Sequence, residues 1–168
     1  MALDDHAKLL GKLVGSFQSL EFMLRFFLQR LPTARPIGIP DGIDIYSFPV
    51  GKDLPESELT SYDSLGELIK KYNKEVIKHH LVEIDLELVE IRDALAHGRI
   101  SANGTNETLR LLKFSRPKEG RVTVLFNVEM TETWFVDQRQ RVNSAMELVK
   151  NAMSVICSVE IQQINETS

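Results

Sequence analysis

Apolar positions fall into blocks of helical period, separated by a proline-rich stretch and an alternating one. Leu10, Leu13, Phe17, Leu20, Leu24, Phe27 and Leu31 step by three and four, which predicts one long helix over residues 3 to 31 with a single apolar seam. Pro32 ends it. Five of the six prolines, at 32, 36, 40, 49 and 55, fall between 32 and 60 together with Gly38, Gly42 and Gly51, so this stretch is a connection and not a helix. The alternation around Ile43, Ile45 and Tyr46 predicts a short extended piece within it. A connection of this length is unusual inside a compact domain and reads as either a covering loop or a flap.

Helical period resumes in SYDSLGELIKKYNKEVIK. Ser64 and Glu67 stand at capping-box spacing, and Leu65, Leu68, Ile69, Tyr72 and Val76 form the inward face. Lys70, Lys74 and Lys78 recur every fourth residue on another face, with Lys71 beside it; this is either a solvated face or a stripe that contacts phosphate. A further helix is predicted from Leu81 to His97. After Gly98, TLRLLKFSRPKEGRVTVLFNVEM reads as two strands joined by a turn at Pro117 to Gly120, a hairpin over 107–129. It carries Arg110, Lys113, Arg116, Lys118 and Arg121, interleaved with Phe114 and Phe126, and Arg99 precedes it. A nucleic-acid surface and a hairpin edge kept soluble by its charges fit this pattern equally. Residues 133 to 163 are predicted as the last helix, with a seam of Val142, Met146, Val149, Met153 and Ile156 and with Ala145 and Ala152 allowing close approach.

Laid out at about 100° per residue, the predicted helix before Gly98 shows two apolar stripes. Leu81, Ile84, Leu88, Ile91 and Leu95 form the one that meets a core; Val82, Leu86 and Val89 form a second, which suggests deep burial or a dimer interface.

Composition adds bounds. A chain of 168 residues is the size of one domain, 1–168, and 43% hydrophobic with 26% charged residues is ordinary for a globular protein. A net charge of −4 argues against indiscriminate nucleic-acid binding and leaves a local basic groove open. Cys157, the lone cysteine, excludes an internal disulfide and reads as a small hydrophobe in the last helix. The stretch MALDDHAKLL is neither a signal peptide nor a membrane span, so a cytoplasmic protein is expected. His79 and His80 are adjacent, point apart on a helix and lack a second ligand cluster, so no metal and no cofactor are expected.

The chemistry gathers in EIRDALAHGRI. His97 closes the predicted helix, where the negative end of the macrodipole and Asp93 at the i−4 position bear on it. Histidine serves as general acid or base near neutral pH, and Arg92 offers a planar set of donors suited to phosphate oxygens. The pair would suit cleavage of a phosphodiester by an internal 2′-hydroxyl. Five residues place the two side chains about 140° apart on one helix, which favours a cleft shared by two copies.

The stretch RDALAHG resembles the signature of HEPN-domain proteins: an arginine, a polar residue and then a histidine, here Arg92, Asp93 and His97. The order of elements is also similar, with a long first helix containing LEFMLRFF, a helix beginning SLGELI, the motif helix and a long final helix. The resemblance implies a mainly α, up-and-down antiparallel bundle of four to five helices, with the hairpin and the proline-rich connection as insertions. It also implies a homodimer with a shared cleft and, as in many members, a metal-independent endoribonuclease of toxin–antitoxin, phage-defence or RNA-processing systems. His97 would then be the acid/base, Arg92 the phosphate stabiliser and Asp93 the residue that orients or tunes them. A cognate antitoxin would be a partner. Asparagine is common where this chain has Asp93, and the extra negative charge weighs against phosphate binding. A non-catalytic module of the same fold, binding RNA, a nucleotide or a partner protein, is the alternative.

Overall fold

The computed structural model describes residues 3–39, 44–103 and 106–166, with 103, 106–107 and 157–166 described by their backbone alone. It is mainly α, with a small three-stranded antiparallel sheet. In chain order the elements are α1 (Leu3–Gln29), α2 (Leu65–Val76), α3 (Glu87–His97), β1 (Arg99–Asn103), β2 (Asn106–Phe114), β3 (Val124–Glu129) and α4 (Glu132–Glu166). None of the described helices is long and apolar enough to cross a membrane. The chain divides into two compact units, Met1–Leu20 with Ile84–Leu148 and Glu21–Glu83 with Val149–Ser168.

In the second unit, Leu24, Phe27 and Leu28 of α1 are buried, as are Leu65, Leu68, Ile69, Tyr72 and Val76, the inward face anticipated for α2. Phe27 meets Tyr72 edge-on at 5.1 Å between ring centroids. α2 starts where Ser64 accepts from the backbone N–H of Glu67 while the Glu67 carboxylate accepts from the backbone N–H of Ser64 at 2.7 Å, a complete capping box. Two α1 side chains fasten the proline-rich connection. Arg25 donates to the carbonyls of Ser61 and Asp63, both at 2.6 Å, and Gln29 donates to the Arg35 carbonyl at 2.7 Å while accepting from the Glu58 N–H at 3.0 Å. Gly38 has a positive φ of 65°, and a Cβ there would sit 2.2 Å from the Pro55 ring, so only glycine lets the two arms of the connection meet. The extended piece expected around Ile43, Ile45 and Tyr46 is instead a 3₁₀ turn at Ile45–Ser47, capped by the Asp44 carboxylate accepting from Tyr46 N–H at 2.9 Å; Ile43 lies outside the described residues.

The helix expected from Leu81 to His97 is shorter at its start. After α2 a 3₁₀ turn, Ile77–His79, leads to His80 in the left-handed region at φ 56°. The N–H of His80 donates to Ile77 O at 3.1 Å and that of Leu81 to Val76 O at 3.1 Å, a Schellman pattern that terminates the helix. Residues 81–85 have no regular structure, and α3 begins only at Glu87, whose N–H is accepted by the Asp85 carboxylate at 2.9 Å. Val82, Leu86 and Val89 therefore share no helical stripe, and the dimer seam drawn from them does not exist as a helix face: Val82 is 64% exposed in the irregular stretch, Leu86 is 43% exposed at the cap, and only Val89 lies on α3, half-buried.

In the first unit, Leu13, Phe17 and Leu20 of α1 and Leu88, Ile91 and Ala94 of α3 are buried, with Leu111 of β2, Met130, and Phe135, Val142 and Ala145 of α4. Arg141 of α4 ties down the start of α3 by donating to Glu87 at 2.8 Å and Asp85 at 3.3 Å. β2 forms an antiparallel ladder with β3, with Leu111 opposite Val128 and Lys113 opposite Phe126. Its tip is the two-residue turn Glu119–Gly120, both at positive φ, closed by paired backbone bonds between Lys118 and Arg121, as a type I′ turn requires. β1 is an additional strand, pairing antiparallel with β2 so that Arg99 lies opposite Leu112 and Ser101 opposite Arg110. The seam of α4 behaves as its period indicates: Val142, Val149 and Ile156 are buried, as are Ala145 and Ala152, and Met146 and Met153 are half-buried. The side chain of Cys157 lies outside the described residues.

Candidate functional site

α3 is a short helix, and its last turn is locked from below. The Gly98 N–H donates to Ala94 O at 2.7 Å, and a Cβ on Gly98 would lie 2.3 Å from that oxygen and 2.7 Å from Leu111 Cδ1. The absence of a side chain at Gly98 lets β2 approach the helix end closely, with Leu111 fully buried at the contact. This fixes the direction in which the last residue, His97, leaves the helix.

His97 is exposed, and among the described residues no hydrogen bond or ion pair engages its imidazole. Asp93, one turn earlier, is not turned to it. The Asp93 carboxylate lies between two cations, with Oδ1 3.7 Å from Arg92 Nη1 and Oδ2 3.8 Å from Lys113 Nζ on β2. Both separations exceed hydrogen-bond range, and Arg92 and Asp93 are 34% and 41% exposed, so each contact contributes at most about 1 kcal/mol and Asp93 does not lock either cation in place. Arg92, Asp93 and His97 thus all lie on α3. Arg92 and His97 diverge by about 140°, as their spacing requires.

The basic residues singled out in the sequence separate into three groups. On the sheet, residues directly opposite one another share a face. Leu111, Val128, Lys113 and Phe126 therefore line the face toward α3, while Arg99, Ser101, Arg110, Leu112, Asn127 and Glu129 line the outer one. Arg110 on that outer face donates to Asn127 Oδ1 at 3.1 Å and pairs with Glu129 at 3.4 Å; the Arg99 guanidinium sits over the Phe114 ring, 5.1 Å from its centroid. Arg116 is exposed beyond the end of β2. In the other unit, Lys74 and Lys78 line an open groove of about 360 Å³ with Lys71, Leu28 and Leu31, and Lys70 is not among its lining residues. Two of these three ammonium groups are already paired, Lys71 with Asp63 and Glu58 and Lys78 with Glu75. The hydrogen bond from Lys71 holds the Asp63 carboxyl below its usual range.

Sequence reasoning missed the contact between Asp93 and Lys113 and the Arg99–Phe114 pair. Neither has a local signal, because each joins residues that only the registers of β1, β2 and α3 bring together. It also missed His6 on α1, which is buried against Phe135 with neither ring nitrogen hydrogen-bonded among the described residues. Among the described residues no group of three or more His, Cys, Asp or Glu side chains gathers in a metal-binding arrangement. The chain matches no family model, no curated protein and no solved structure.

Proposed function

We propose that this protein is a metal-independent endoribonuclease that works as a homodimer, with His97 as general acid/base and Arg92 as phosphate stabiliser. One observation carries the reading: α3 ends in an exposed histidine that no hydrogen bond or ion pair engages among the described residues, on the same short helix as Arg92, whose side chain is 34% exposed. Such an imidazole can meet a substrate without first breaking a bond. It removes the proton from a ribose 2′-hydroxyl, whose oxygen attacks the adjacent phosphorus. The bond to the 5′-oxygen then breaks, and that oxygen takes up a proton, leaving a 2′,3′-cyclic phosphate and a 5′-hydroxyl. Arg92 binds the phosphate oxygens as charge builds on them.

The divergence of Arg92 and His97 on α3 supports a site completed by a second copy, and Leu86, exposed at the start of that helix, is offered as part of the contact. The HEPN resemblance, the up-and-down bundle it implies, a toxin–antitoxin or phage-defence setting and a cognate antitoxin belong to the same proposal. The test is incubation of labelled RNA with purified protein in excess chelator, beside Arg92→Ala and His97→Ala. Cleavage by the wild type alone, with cyclic phosphate ends, is the expected outcome. Equal cleavage by the variants, or none by any protein over a broad RNA set, would sink it.

One observation favours a second reading, a non-catalytic module of the same fold that binds RNA, a nucleotide or a partner protein. Asp93 places a carboxylate between Arg92 and Lys113, where it competes with a phosphate for both cations. That reading predicts binding without turnover.

A further inference from the structure

We infer that the outer face of the sheet is the surface on which single-stranded RNA docks on its way to His97. The inference rests on the ribonuclease reading. β1 leaves α3 directly, so Arg99, the first outer-face residue of the sheet, follows His97 by two residues. The opposite face is occupied, with Leu111 fully buried near the end of α3 and Lys113 reaching Asp93. The outer face carries Arg99, exposed and seated over the half-buried Phe114 ring, beside Leu112, Arg110 and Asn127.

That set matches the chemistry of a single strand. A guanidinium plane backed by an aromatic ring is a stacking platform for a base, and every base has a π-face to place there. Arg110 is oriented by Asn127, and its pairing with Glu129 is exposed enough for a phosphate to displace. Charge complementarity singles out a polyanion as the occupant. The outer face and the connection that follows it carry Arg99, Arg110, Arg116, Lys118 and Arg121 against Glu119 and Glu129, five basic residues to two acidic ones in a protein of net −4. Arg116, Lys118 and Arg121 are exposed on the β2–β3 connection, extending the positive stripe beyond the sheet.

The test is binding of fluorescein-labelled single-stranded oligouridylate and oligoadenylate of about ten nucleotides, with His97→Ala in every protein so that the probes stay intact. Arg99→Glu and Phe114→Ala, each added to that background, are expected to weaken binding about tenfold or more. Arg99→Glu is also expected to flatten the slope of log K against log salt by roughly 0.7 or more. Arg99 is exposed, so its reversal tests the face even where Phe114→Ala fails to fold. Binding unchanged by Arg99→Glu overturns the proposal, and so does no binding to either probe at low salt. If the wild type cleaves RNA under those conditions, the nuclease reading stands without the docking face. Face-dependent binding with no cleavage leaves the docking face and removes the nuclease. Intact RNA binding with altered sedimentation in Arg99→Glu assigns the face to a protein and overturns the proposal.

Discussion

His6 is 2% exposed on α1, edge-on to Phe135 at 5.1 Å, and neither ring nitrogen has a hydrogen-bond partner among the described residues. Burial lowers its pKa, because the charged form would lose its hydration without a compensating bond. In the unfolded chain histidine titrates near about 6.5, so below that pH the unfolded state binds a proton that the folded state resists. Stability on this account is intact above about pH 6.5 and falls as pH drops toward the depressed folded value. Asp63 and Glu67, whose carboxyls are held low by hydrogen bonds from Lys71 and from Ser64, lose their contributions only at more acidic pH. Thermal melts from neutral pH down to about 5 should show the wild-type midpoint falling while His6→Leu stays flatter. Parallel curves for the two proteins would show that His6 is protonated in the fold at no cost.

The breaks between elements were harder to see in the sequence than the elements. α1, α2 and α4 were legible because burial follows the apolar period: Leu13, Phe17 and Leu20, the five inward residues of α2, and Val142, Val149 and Ile156 are all buried. The irregular run at 81–85 was not, because no glycine or proline marks it; His80 takes the left-handed conformation that a glycine usually would. β1 was missed because RISAN has one large apolar residue, and only pairing with β2 makes it a strand. Of the candidate site, the positions of Arg92, Asp93 and His97 on α3 were legible. The engagement of Asp93 by Lys113 was not, since it depends on how β2 lies against α3. The cap at His80 makes a prediction of its own. A left-handed side-chain residue costs about 1–2 kcal/mol that glycine avoids, offset by roughly 0.5–1 kcal/mol for the greater freedom of glycine in the unfolded chain. His80→Gly should therefore stabilise by roughly 0.5–1 kcal/mol in denaturant unfolding. A loss of stability would mean that the His80 side chain contributes more than its backbone strain costs.

At the scale of the whole molecule, the site is limited by the geometry of one helix. α3 runs only from Glu87 to His97, and within it Arg92 and His97 diverge by about 140°, so the two side chains leave the helix in different directions. In the symmetric pair proposed above, Arg92 of one protomer would work with His97 of the other, and a dimer would hold two equivalent sites. Inactive variants should consequently rescue each other. Arg92→Ala contributes an intact His97 and His97→Ala an intact Arg92, so their heterodimer has one complete site of two. Random exchange makes half of the dimers mixed, and an equal mixture should recover about a quarter of the wild-type rate. The measurement is RNA cleavage in chelator after co-refolding the two variants, against each alone. No recovery, with mixed dimers demonstrated by differential tagging, would mean that the two residues do not act across the dimer. The ribonuclease reading would then have to place Arg92 and His97 of one chain in the same site.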